Sequence, residues 1–285
     1  MITGSELRAA DASVLPGTGR PATPRRLASP LRQAWVILTG RYLRQLYRVP
    51  VVIFMTLIQP VIWLLLFGAL FKKVAEIPGF GAGNYVTYLT PGVVIMTAMF
   101  SASWTGMAYI EDMHSGVLDR FLTAPVGRGS LTAAMLAYQG LTTVLQSAII
   151  IAIGWGIGAR FPGGAAGLAA LIAVSVLIAV AMAGLSNWFA LLTRQREALI
   201  GASTTLVLPL TFLSGAFLSL RLVPGWIAGI ARFNPVNWAA SAGRVAVADH
   251  PAWTTVGAYS AFLALAVAVT ATAATMAFRA YQRSL

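Results

Sequence analysis

Residues 166–192 read AGLAALIAVSVLIAVAMAGLSNWFALL, without an Asp, Glu, Lys, Arg or His. A helix crossing a hydrocarbon core of about 30 Å needs roughly 20 consecutive apolar residues, and this run supplies them with no wet face and no strand-like alternation. Working outward, five more uncharged runs of the same kind appear, at approximately 51–71, 88–110, 133–158, 199–218 and 256–278. In lipid the backbone must satisfy its own hydrogen bonds. A helix does so within itself, whereas a barrel would show strands of about ten residues alternating in polarity. The expected fold is therefore an all-α integral membrane protein with six transmembrane helices.

Composition agrees. The chain is 58% hydrophobic and 10% charged, where a soluble domain is about 25% charged. A net charge of +12 raises the question of nucleic acid. The basic residues lie mainly beside expected membrane ends, however, where they meet anionic headgroups, so membrane lipid is the expected partner and nucleic acid is not. With no cysteine there is no disulfide or thiolate site, and His114 and His250 fall on opposite expected sides of the membrane, so no metal site is expected.

Placing the N-terminus in the cytoplasm puts eight Lys and Arg before residue 50 and two each in 111–132, 193–198 and 279–285, against six in the outward loops. This orients both termini to the cytoplasm. Residues 1–30, rich in Arg, Pro, Gly and Ala, read as a disordered basic cytoplasmic tail, and 31–285 as the membrane domain. At the start of that domain Leu31, Ala34, Trp35, Leu38, Tyr42, Leu46 and Val49 recur every three or four residues, with Arg41, Arg44 and Arg48 off the stripe. This is an N-terminal amphipathic helix, either interfacial or packed on protein, and Pro50 turns the chain into the first span.

Catalytic signatures do not appear. The only lysines, Lys72 and Lys73, have no Gly-rich loop ahead of them, so there is no phosphate-cradling site for ATP and no cofactor is expected in this chain. No nucleophile elbow or zinc helix is present either. An ion-coupled secondary transporter would be expected to carry titratable groups inside its spans; one using backbone carbonyls stays open as an alternative, as does a membrane-embedded lipid-modifying enzyme.

Charge gathers at EDMHSGVLDRFLTAPVGR, residues 111–128, which holds three of the eight acids. Residues 114–123 fit a short helix with Val117, Leu118, Phe121 and Leu122 apolar, ended by Pro125. This stretch resembles the cytoplasmic loop of ABC-2 type transporter permeases, in particular the daunorubicin-resistance-like exporter group, in which an acid, a Gly, an acidic-basic pair and a Pro follow one another. Glu111 or Asp112, Gly116, Asp119 with Arg120, and Pro125 fill those places. QPVIWLLLFGALF at 59–71 is similar to the family's first span, and LSGAFLSLRLVPGWIAGIARFNPVNWAASAGR at 213–244 to its region around the fifth span and outer loop. The likeness covers about residue 31 to the C-terminus.

The resemblance implies a permease in the cell membrane that pairs with a second permease chain and with a separate P-loop ATPase subunit, which binds ATP and Mg. Its cargo would be an amphiphilic drug, antibiotic or lipid-linked molecule. Glu111, Asp112, Gly116, Leu118, Asp119, Arg120, Phe121, Leu122 and Pro125 would form the loop that docks on the ATPase, although a merely solvated turn has the same composition. Between spans five and six, Pro224, Trp226, Pro235 and Trp238, with Trp253 just beyond, fit short outer helices or an aromatic belt. Gln59, Trp63, Phe212, Ser214 and Phe217, near Pro60 and Pro209, are the candidates for a substrate path, or else polar and aromatic side chains that join helices.

Overall fold

The computed structural model describes residues 50–73, 84–115, 130–217 and 223–283. The expected tail and amphipathic helix of residues 1–49 lie outside the described residues. Within them the chain forms helices and no strand: α1 (Pro50–Leu70), α2 (Tyr85–Ser103), α3 (Gly106–His114), α4 (Ser130–Gly156), α5 (Gly164–Thr193), α6 (Arg196–Phe212), α7 (Gly225–Ala231), α8 (Pro235–Val247) and α9 (Trp253–Arg283). Among the described residues, four helical stretches are long and apolar enough to cross a membrane: Tyr85–His114, Thr132–Gly156, Gly164–Thr193 and Trp253–Tyr281. The apolar stretch Met55–Leu70 of α1 is shorter.

Successive long helices run in opposite directions, which gives the bundle two ends. At the near end α1 begins, and Arg196 at the start of α6 meets Glu111 of α3. At the far end α2 begins, and Arg160, between α4 and α5, donates its N–H to Thr87. Helix α5 stands in the middle, packed on α9, α4, α8, α2, α3 and α6. Its buried face mixes large residues, Leu171, Ile178 and Met182 among them, with small ones such as Ala179, Ala183, Gly184 and Ala190. In lipid no hydrophobic force draws apolar helices together, so close backbone approach through small residues does that work. A Cβ on Gly184 would lie 2.7 Å from the Thr270 hydroxyl of α9, and one on Gly167 would strike the Ala246 carbonyl of α8.

Two expected spans differ from their runs. The second is interrupted at Trp104 and Thr105, and its continuation α3 carries Glu111 and Asp112 on a helix, not in a loop. The fifth stops at Phe212, short of residue 218, and the chain then runs irregularly through residues 213–217. Helices α7 and α8 follow as the expected short outer pair. Asn234 starts α8 by accepting from the Val236 N–H at 2.9 Å, with Pro235 in the first turn where its missing N–H costs nothing.

Candidate functional site: the far-end corner and its aromatic wall

Irregular backbone in a bilayer survives only where protein or water satisfies it. After Leu213 the chain meets that demand almost entirely with side chains. Asn234 Nδ2 donates to the carbonyls of Leu210 at 2.7 Å and Leu213 at 3.1 Å. The Tyr88 hydroxyl donates to Gly215 O, the Tyr85 hydroxyl to Phe217 O, both at 3.2 Å, and Arg244 Nη2 to Ala216 O at 2.6 Å. In return Asn237 Oδ1 accepts from the Gly215 N–H at 3.2 Å, while Ser214 accepts from Ala216 N and donates to Thr211 O. Gly92 of α2 lies directly under this corner, where any Cβ would run into the Ala216 carbonyl.

Among the described residues, Arg244 is the one cation in this arrangement. Besides Ala216 it donates from Nε to the Tyr88 carbonyl at 3.2 Å, and its guanidinium lies 3.8 Å from the centre of the Tyr88 ring. Its partners are carbonyl dipoles and a π face, with no carboxylate paired to it among the described residues. A planar guanidinium suits this, since it holds two acceptors and stacks at once. Arg244, one of the six cations expected on the outward side, is thus folded onto the bundle, with its guanidinium on protein groups.

Three of the five expected path residues come together beside this corner. Trp63 stands 6.4 Å from Phe212 and 5.5 Å from Phe217, ring centre to ring centre, and those two lie 5.9 Å apart. Phe67 joins Trp63 at 4.8 Å, and the series continues through Phe71 and Tyr85 to Tyr88, under Arg244. Ser214 is buried and committed to backbone. Gln59 lies one turn toward the near end from Trp63, exposed and apart from the cluster. Sequence reasoning missed Tyr85, Tyr88, Asn234, Asn237 and Arg244 as functional residues. The available signal was the Asn-Pro and Gly-Arg pairs of residues 234–244, read as a pattern without a partner.

At the near end, the break in the second span is held by side chains of other helices. Ser186 donates to Ser103 O at 2.7 Å and accepts from the Gly106 N–H at 3.0 Å, and Ser203 also donates to Ser103 O at 3.1 Å. Helix α3 then buries Tyr109 and Ile110 against Met135, Leu199 and Phe278. Glu111 pairs with Arg196 at 3.3 Å on the surface, and Asp112 is buried. The other expected coupling residues, Gly116, Leu118, Asp119, Arg120, Phe121, Leu122 and Pro125, lie outside the described residues.

The chain matches the ABC-2 type transporter family over residues 33–247. It is 27% identical over 236 residues to a daunorubicin resistance ABC transporter permease protein of Streptomyces coeruleorubidus, covering 81% of this chain and 79% of that one. A putative transport permease of Cyanophora paradoxa is 28% identical over 222 residues, 78% of this chain and 76% of its own length. An inner membrane transport permease of Escherichia coli is 24% identical over 238 residues, 80% of this chain and 91% of its own. With α1 through α8 inside the matched region, the chain belongs to the ABC-2 type transporter permeases.

Proposed function

We propose that this chain is the membrane half-unit of an ATP-driven exporter of amphiphilic molecules. In this reading α1, α2 with α3, α4, α5, α6 with its corner, and α9 are six spans. The near end and both termini face the cytoplasm. A second permease chain completes the path and a separate P-loop ATPase supplies ATP and Mg. A daunorubicin resistance permease among the relatives supports an amphiphilic cargo.

One observation carries the coupling: α6 touches both ends of the machine. Its first residue, Arg196, pairs with Glu111 on α3, and its last turn runs into the corner held by Asn234, Tyr88 and Arg244. Movement of the loop that follows α3 is thus delivered along one helix to the far-end closure. In the same reading residues 116–125 dock on the ATPase.

The test is transport in vesicles with the ATPase co-expressed. Phe121→Ala removes apolar area worth at most about 1.5–3 kcal/mol, and Asp119→Ala leaves a charged partner unpaired. Both should abolish transport and weaken ATPase co-purification, with membrane insertion intact; Arg160→Ala serves as the far-end control. Normal transport and ATPase association in both loop variants would sink the coupling assignment.

A further inference from the structure

Toward the near end from the aromatic cluster, a pocket of about 110 Å³ lies between α1 and α2, open on one side. Thr56, Gln59, Met96, Phe100, Ser101 and Trp104 line it. It sits beside Pro60, which lacks the N–H for a helix hydrogen bond inside α1, and at the Trp104 break that ends α2.

Its chemistry is specific in three respects. None of the lining side chains is ionisable, so an ion placed here would lose water without gaining a partner. Unused polar groups are present: the Gln59 amide and the Trp104 indole N–H have no hydrogen-bond partner among the described residues. Ser101 only accepts, from Gln139 Nε2 at 3.3 Å, and keeps its hydrogen to donate. The Thr97 hydroxyl, by contrast, is committed to Val93 O. Third, Met96, Phe100 and Trp104 are the flat and polarizable walls that favour an aromatic ring. At about 110 Å³ the pocket is smaller than the roughly 150 Å³ cavity that encloses benzene, so a ring seats in it only in part, with its remaining edge and the rest of a ligand at the open side.

We infer that this pocket binds a single uncharged ring carrying a hydroxyl, a phenol-type group. The ring oxygen accepts from Trp104 and Ser101, and its hydrogen goes to the Gln59 carbonyl. This deepens the permease reading, on which it rests only for its place in the inner half of the membrane, where cargo would meet it before the aromatic cluster.

The chain has eight tryptophans, so 5-fluorotryptophan labelling of the full chain in lipid nanodiscs reports on all of them in one fluorine spectrum, with Trp104→Phe assigning the relevant line. Phenol should shift the Trp104 line saturably and leave Trp253 unmoved. Toluene should need a concentration about fivefold higher, as one neutral hydrogen bond predicts, and benzoate and benzylammonium should bind more weakly still. Gln59→Leu should narrow the difference between phenol and toluene by the share of the one hydrogen bond it removes, while Trp104 and Ser101 still donate to the ring oxygen and the other tryptophan lines stay in place, which reports an intact fold. No saturable shift, equal half-saturation by phenol and toluene, a preference for either ion, or an undiminished phenol preference in Gln59→Leu would each overturn the inference. None of these readouts needs the ATPase, so they fail or succeed independently of the transport test.

Discussion

Tyr88 receives Arg244 twice, through its ring at 3.8 Å and through its own carbonyl oxygen at 3.2 Å from Nε. With Nη2 on the Ala216 carbonyl, one guanidinium ties α8 to α2 and to the corner after α6.

The fork geometry, not charge alone, should therefore set stability. Arg244→Ala removes the donor from the part-buried Ala216 carbonyl and a second donor from the Tyr88 carbonyl, a loss of about 1–3 kcal/mol in all. Arg244→Lys keeps the cation but not two rigid donors, so it should fall between. Thermal unfolding of the purified chain, followed by tryptophan emission, should rank wild type above Lys above Ala. A lysine variant as stable as wild type would show that a point charge suffices.

Gly92 and Gly257 form a matched pair. A Cβ at Gly92 meets the Ala216 backbone, which cannot yield without dismantling the corner, while Gly257 on α9 has nothing within 4 Å. Gly92→Ala should cost several kcal/mol, of the order seen when a packed interior is forced apart, and lower the yield of folded protein. Gly257→Ala should be neutral or gain up to about 1 kcal/mol from helix propensity. Comparable melting temperatures for the two variants would contradict the close approach of α2 to the corner.

These contacts mark the boundary of what the sequence makes legible. Helices α1, α4, α5 and α9 follow uncharged runs closely, because length and hydropathy are local properties that the bilayer reads directly. The break at Trp104 is invisible locally: residues 88–110 are uniformly apolar or small, and what permits the break is Ser186 and Ser203, some eighty to a hundred residues away. Of the five residues named from the sequence, Trp63, Phe212 and Phe217 meet as rings beside the corner, whereas Ser214, the hydroxyl among them, spends its oxygen on Thr211 and Ala216. Arg244 looked like any loop arginine, since nothing in its neighbours states which carbonyls it will reach.

Asn234 works with both ends of its amide: Oδ1 caps α8, and Nδ2 bridges Leu210 and Leu213. Asn234→Asp retains the cap and turns a second acceptor toward two carbonyls, so it should be at least as destabilising as Asn234→Ala, which loses about 2–4 kcal/mol from cap and bridge together. Chemical denaturation of the three proteins in detergent checks the order. An aspartate variant near wild type would mean that only the cap matters and that the corner holds without its bridge.

Phe212 and Phe217 separate packing from transport. Both touch Trp63 and each other, but Phe212 is 58% exposed, whereas Phe217 is half-buried against the main core and also meets Phe67. Truncating Phe217 removes interior contacts, so Phe217→Ala should destabilise the bundle by about 2–4 kcal/mol, somewhat less than for a fully buried ring. Phe212→Ala should change stability by less than about 1 kcal/mol, because its ring is largely outside the core. If the cluster lines the route of an amphiphilic cargo, Phe212→Ala should nevertheless weaken cargo handling by roughly three- to tenfold, the range of one aromatic contact, and should do so in the half-saturation concentration more than in maximal rate. Melting curves and vesicle transport with the co-expressed ATPase, run side by side, test this. Unchanged transport in a stable Phe212→Ala protein would remove the aromatic wall from the path and leave it as packing between α1 and α6.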